Sequence, residues 1–234
     1  MYAYFTTQRR VFPRYYQESF LGLPLLRAEL PRRGRKSRWE KKALAFLRRN
    51  QVRTLLNGPE QCAPLRLLDT GELYRRTAPE LALLTLRRQR ILPEKAVVGL
   101  LGTRWTRELD RAARRLAGQV RCLSLSLPGS QDLAWELQQE FGIPVFQGDG
   151  DLTLCFSPAQ PGPGRLLLGS PRPRVEGISF RWKGGPLPED VPADALLTLL
   201  ARSGIIPWGE ILVEPAEPRE CSFQRLPGGV PEPS

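Results

Sequence analysis

Residues 95–157 constrain the fold most, because runs of strand length and apolar character alternate there with amphipathic stretches of helix length. Lys95-Ala-Val-Val-Gly-Leu-Leu-Gly102 reads as a strand, a helix follows to Ala117, and residues 120–127 read as the next strand. A second helix ends at Phe141-Gly142, and residues 143–146 and 151–156 follow as strands. Strands separated by helices of about 10–15 residues cannot pair as hairpins, so they close a parallel sheet with helices against it. The predicted fold class is α/β: a Rossmann-like three-layer arrangement with a mostly parallel sheet, built from βαβ units.

Local signals place the elements. In the first helix of this run Thr103 is the expected N-cap, Trp105, Leu109, Ala112 and Leu116 form the buried stripe, and Gly118 is the expected left-handed C′ residue. In helix 131–141, Leu133, Leu137 and Phe141 face inward and Gly142 takes the C′ position. Upstream, residues 1–23 carry Tyr2, Tyr4, Phe5, Phe12, Tyr15, Tyr16 and Phe20, rings expected to cover a core edge as a first strand and packing arm. Residues 23–30 read as a strand and 31–36 as a basic loop. Ser37-Arg-Trp-Glu40 reads as a capping box opening a helix to Arg49, with Trp39, Ala43, Phe46 and Leu47 on one face. Residues 52–56 read as a strand and 70–90 as a helix, capped at Thr70 and interrupted at Pro79. Residues 165–169 and 177–182 are expected as short strands or a hairpin, 190–204 as a helix, and 211–213 as a last strand. The expected division is an N-terminal α/β unit at 1–90, a Rossmann-like unit at 91–213 and a disordered tail at 214–234. Residues 48–55 faintly echo 115–123; duplication and chance both account for that.

Histidine is absent, which closes Ser-His-Asp and Cys-His activation, His–metal sites and His general bases together. Cys62, Cys122, Cys155 and Cys221 form no Cys-x-x-Cys pair, and Cys122 and Cys155 lie in apolar strand patterns where packing is the expected role. No apolar run approaches the ~20 residues of a membrane span. The N-terminus lacks the pattern of a signal peptide, so the expected location is cytoplasmic. The net charge of +11 points to anionic partners: nucleic acid, a phosphate-bearing ligand or an acidic protein.

Two stretches are candidate sites. A dinucleotide fingerprint needs Gly-x-Gly-x-x-Gly across a strand-to-helix turn and an acid at the end of the next strand. Gly99-Leu-Leu-Gly102-Thr-Arg-Trp-Thr106 has two glycines at another spacing, and the next strand ends Leu125-Ser-Leu-Pro128 without an acid. In layout, the helix at 70–90 before the strand and the Leu133-Ala-x-x-Leu-x-x-x-Phe-Gly142 pattern after it resemble the NAD(P) domain of shikimate dehydrogenase and glutamyl-tRNA reductase. That resemblance implies dinucleotide binding only where the fingerprint is intact. Gly99, Gly102, Thr103 and Arg104 are the candidate cofactor-binding residues, for a small anion held at the start of the helix.

The second stretch is basic. Arg32, Arg33, Arg35, Lys36, Arg38, Lys41, Lys42, Arg48, Arg49 and Arg53 lie close together with one acid, Glu40, among them. Arg33, Arg35, Lys36, Ser37 and Arg38 are the candidate anion-binding residues, where guanidinium groups and backbone N–H groups can converge on a phosphate. Glu176, Glu189 and Asp190 read as capping or solvated acids. No catalytic residue, metal ligand or cofactor is assigned. The expected function is a non-catalytic interaction or regulatory module. The alternatives are a divergent NAD(P)- or nucleotide-binding enzyme, and phosphate or nucleic-acid binding through residues 32–53.

Overall fold

The computed structural model describes residues 1–8, 12–31, 36–58, 62–173 and 175–216. The chain opens with β1 (Tyr2–Gln8), β2 (Arg14–Phe20) and β3 (Leu23–Pro31), then α1 (Lys36–Arg49), β4 (Thr54–Leu55) and β5 (Arg66–Leu67). These strands form one five-stranded sheet in the order β2-β3-β1-β4-β5. Only β2 runs antiparallel. Its hairpin to β3 turns through Leu21 and Gly22, with φ of 51° and 79°. Positive φ at both turn residues gives the tight turn whose twist matches that of the strands.

Period-two alternation divides the residues of this sheet between two cores. Ala3, Phe5, Leu26, Ala28 and Leu30 face α1 and pack with Ala43, Leu44 and Leu47. Tyr4, Leu23 and Leu25 point the other way and join the main core of the molecule. The helix α1 is therefore an outer layer, with Arg38, Lys41, Lys42, Ala45, Arg48 and Arg49 exposed on it.

A second five-stranded sheet follows α2 (Gly71–Arg76) and α3 (Ala78–Arg88). Its elements are β6 (Val97–Leu101), α4 (Arg107–Ala117), β7 (Cys122–Ser126), α5 (Gln131–Phe141), β8 (Val145–Phe146), β9 (Leu152–Cys155) and β10 (Arg165–Leu167). The order is β10-β9-β6-β7-β8 and every pair is parallel. The first strand is central, and the chain winds to one edge before crossing to the other, as in a Rossmann-like layout. Leu109, Ala112, Ala113 and Leu116 of α4 are buried in the main core with Val98, Leu100, Leu123 and Leu125 of the sheet.

The crossing from β8 to β9 has no helix. Residues 147–151 make it directly, past the row in which Gly99 stands in register between Ser124 and Thr153. Ser124 donates to the Gly148 carbonyl, and Asp151 accepts the Val97 N–H at 2.8 Å. A Cβ on Gly150 would lie 2.6 Å from the Val97 carbonyl oxygen, so only glycine allows this approach. The remaining described elements are β11 (Ile178–Trp182), α6 (Ala193–Arg202) and β12 (Ile211–Pro215), with β11 and β12 antiparallel. Among the described residues no helix is long and apolar enough to cross a membrane.

Charged groups tie the first sheet to the segment before α6. The Arg27 guanidinium lies 2.9 Å from Glu29, 2.8 Å from Asp190 and 3.5 Å from Glu18. Tyr4 donates to Glu18 at 2.6 Å; burial first, then this bond, drives its phenol well above the ordinary tyrosine range. Glu29 is only 6% exposed; Gln8 donates to its Oε1 at 2.7 Å, and its Oε2 has no hydrogen-bond partner among the described residues. Arg172 makes a second tie, donating to the carbonyls of Leu56 and Leu68.

Several local expectations are corrected. The cap of α4 is Thr106, whose hydroxyl accepts from the Leu109 N–H at 3.2 Å; Thr103 lies outside the helix. Trp105 precedes the helix and is exposed, because the later start takes it off the buried stripe. Gly118 has φ −80°, not a left-handed value, whereas Gly142 has φ 67° as expected. Helix α1 begins at Lys36, so Ser37 lies inside its first turn and not at the cap position. Thr70 makes no cap bond; Asp69 accepts the Gly71 N–H instead. The break near Pro79 falls at Thr77, with Pro79 tolerated at the second position of α3. The strands at 165–167 and 178–182 do not pair: one joins the parallel sheet and the other pairs with β12, which continues through Pro215. Residues 217–234 of the expected tail lie outside the described residues. The echoing segments differ in winding, since β1 lies between β3 and β4 while β6 and β7 are adjacent.

Candidate anion-binding surface

The charge of the chain is divided between its two parts. Residues 1–68 hold 15 Lys and Arg against four Asp and Glu, a net of +11, while residues 69–234 hold 20 against 20. The whole excess therefore belongs to the segment that builds the first sheet and α1.

Most ion pairs among the described residues lie in the second part, although Arg87, Arg104, Arg107, Arg111 and Arg121 there have none and Arg27 of the first part pairs with Glu18, Glu29 and Asp190. In the second part Arg76 and Arg202 share Glu72, Arg114 meets Asp110, Glu136 and Glu140, Arg115 meets Glu80, and Arg181 meets Glu214. Burial opposes the Glu72 charge, but the bonds from Arg202 and Arg76 outweigh it and hold its carboxyl below the ordinary range. Among the described residues, Arg38, Lys41, Lys42, Arg48, Arg49, Arg53 and Arg66 make no ion pair with an acid. Their charge is left to solvent and to whatever anion approaches.

Secondary structure sets where these cations stand. On α1 the exposed positions 38, 41, 42, 45, 48 and 49 recur at helical spacing, so its cations run along one outward face. At 1.5 Å per residue, the 14 residues of α1 extend this face over about 21 Å. At the C-terminal end of α1 an open cleft of about 1080 Å³ is lined by Met1, Arg48, Gln51, Val52, Arg53, Thr54, Pro64, Leu65 and Arg66. Its arginines come from three places: the end of α1, the approach to β4, and β5. The parallel pairing of β4 with β5 sets two of them side by side, through the bond from the Arg66 N–H to the Arg53 carbonyl at 3.0 Å. Arg48 is oriented by donation to the Ala63 carbonyl. Among the described residues no Asp or Glu lines the cleft. By contrast, in the cleft of about 570 Å³ beside β10, Arg165 is held by Asp149 and Arg88 by the Glu176 carbonyl.

Rings line the seam between α1 and the edge strand β2. Phe12 is 70% exposed and meets Trp39 edge-on at 6.5 Å. Lys42 places its ammonium 5.1 Å from the Trp39 ring centre. Farther along, Tyr15 stacks on Phe46 at 3.8 Å, and burial raises the Tyr15 phenol above its ordinary value. The expectation that the N-terminal rings cover a core edge describes Tyr4 and Phe5, which are buried, and Tyr2, Tyr15 and Phe20, which pack against the cores; Phe12 and Tyr16 are exposed.

The candidate residues from the sequence stand as follows. Gly99 lies within β6, where a Cβ would fall 2.8 Å from the Thr153 hydroxyl oxygen; it belongs to strand packing and not to a turn. Gly102 is buried at the end of β6, and a Cβ there would lie 3.0 Å from Leu109 Cδ1, so it serves close strand–helix packing. Thr103 and Arg104 are exposed at the same strand end. None of these four lines any of the clefts described here. Arg33 and Arg35 lie outside the described residues. Lys36 and Ser37 open α1, and Arg38 is exposed on its first turn. Arg66 and Phe12 were not among the candidates. Arg66 lies 13 residues beyond Arg53 and reaches it only through strand pairing. Among the described residues, no group of three or more Cys, Asp or Glu is placed to hold a metal ion.

No model of a known protein family matches the chain, and no curated protein matches it. The resemblance to dinucleotide-binding domains rests on layout alone.

Proposed function

We propose that this protein is a non-catalytic binding module that docks on nucleic acid through the phosphate backbone, using the outer face of α1 and the Arg48–Arg53–Arg66 cleft. The observation that carries the reading is the confinement of the whole +11 to residues 1–68, where Arg38, Lys41, Lys42, Arg48, Arg49, Arg53 and Arg66 have no acidic partner among the described residues. A surface of that kind gains affinity by releasing the counterions condensed on a polyanion, without any base-specific contact. The second sheet, read as a Rossmann-like layered unit, is the scaffold: residues 69–234 carry as many acids as cations, and Gly99 and Gly102 serve packing there.

Hydrogen–deuterium exchange with a short oligonucleotide tests this reading. Protection is expected over residues 36–66, with no change at 99–106. Protection at 99–106 alone would favour a nucleotide site at the strand ends and contradict the proposal.

A further inference from the structure

Building on the proposed nucleic-acid binding, we infer that the preferred partner is a single strand, with bases stacked against the β2–α1 seam at Phe12. Two observations meet there. The cations of α1 supply a track for phosphates. Beside it, Phe12 has the highest exposure of the large apolar side chains among the described residues, at 70%, and is not used by the core. A duplex keeps its bases inside and offers this ring nothing. A single strand presents base faces, and every base has one, so a ring beside a basic track adds affinity without sequence preference.

The seam is built for more than one ring contact. Trp39 and Phe46 are seven residues apart on α1, two turns and about 10 Å along the axis. Each is met by a ring from the β2 side, Phe12 at 6.5 Å and Tyr15 at 3.8 Å. Lys42 lies between them in sequence and against Trp39 in space. Rings and cations thus alternate along one edge, the arrangement that a chain of alternating bases and phosphates complements.

Fluorescence anisotropy at low salt tests the inference, with four probes: an unstructured single strand, a duplex of equal length, inorganic polyphosphate, and vesicles containing phosphatidylserine. Wild type, Phe12→Ala and Phe12→Trp are compared; the exposure of Phe12 keeps both variants within the range of neutral surface changes. The expected result is single-strand binding at least ten-fold tighter than duplex binding. Phe12→Ala should weaken it roughly five- to hundred-fold, the range of one lost base stack, and Phe12→Trp should retain it. Polyphosphate, which has no bases, should bind Phe12→Ala as it binds wild type. Equal affinity for strand and duplex, or no effect of Phe12→Ala on the strand, overturns the inference while leaving salt-dependent nucleic-acid binding in place. Tighter, Phe12-dependent binding to vesicles overturns it in favour of a lipid surface. Absence of binding to both oligonucleotides removes the proposed function and this inference together.

Discussion

Replacing Arg48, Arg53 and Arg66 together by Gln should lower oligonucleotide affinity by at least about two orders of magnitude at low salt. A hydrogen bond to a charged group contributes about 1.5–3 kcal/mol, and three such donors leave the cleft at once. The salt dependence should change with the affinity: each lost phosphate contact removes about 0.7 from the log–log slope on a single strand. All three side chains are exposed, so the fold should survive, which a thermal melt checks directly. Affinity within two-fold of wild type would show that the cleft does not carry the binding. An equivalent triple change among paired arginines, such as Arg114, Arg115 and Arg181, should leave affinity nearly unchanged, because acidic neighbours already compensate those charges.

The second large effect concerns the fold that holds this surface. Arg27→Met should destabilise the protein by about 3–5 kcal/mol at neutral pH, read by urea denaturation. Glu29 is 6% exposed, and Arg27 is its charge partner at 2.9 Å. Removing one partner of a buried pair leaves the other charge uncompensated, which costs far more than the pair contributes. The same change cuts the link to Asp190 and so loosens the first sheet from the segment before α6. Adding Glu29→Gln should recover most of the loss, since the buried charge is then gone. A double variant as unstable as the single one would mean that Arg27 acts through packing or through Asp190 instead.

Much of the architecture was legible where one face of an element is buried and the other wet. Helices α1 and α5 follow directly from such patterns, as does the left-handed Gly142, while strands β3, β7 and β9, buried on both faces, follow from near-continuous apolar runs. Elements defined by partners far along the chain were not legible. β5 is a two-residue pairing, too short to leave a periodic signal, while β4 and β8 stand inside the strands expected at 52–56 and 143–146 but pair over two residues each. The hairpin of β11 with β12 joins segments separated by a helix, which no local pattern reports. At the start of α4, Thr103 and Thr106 are both competent caps. The choice falls to Thr106 where Leu109 drops into the core, leaving Trp105 outside.

The candidate surface was partly legible for related reasons. The basic run at 32–53 is plain in the sequence, but whether its cations are paired depends on which acids fold beside them. The structure answers that: among the described residues no acid comes within ion-pair distance of Arg38, Lys41, Lys42, Arg48, Arg49, Arg53 or Arg66, whereas Asp190 of the second part reaches Arg27. Arg66 joins Arg48 and Arg53 only because β5 pairs with β4. Phe12 looks like any other ring among the first 23 residues until strand alternation buries Tyr4 and Phe5 and the bend before β2 leaves Phe12 in water. The glycines at 99 and 102 misled in the opposite direction, since close packing and phosphate binding both demand a residue without a side chain.

The central claim, that the unpaired cations of residues 1–68 bind a polyanion backbone, is tested most directly by the salt dependence of binding. Anisotropy of a labelled single strand, titrated across a series of salt concentrations, gives the slope of log affinity against log salt. With about five to seven phosphates contacted by these cations, the predicted slope lies near −3.5 to −5. A slope flatter than about −1, or no binding at the lowest salt, would contradict it.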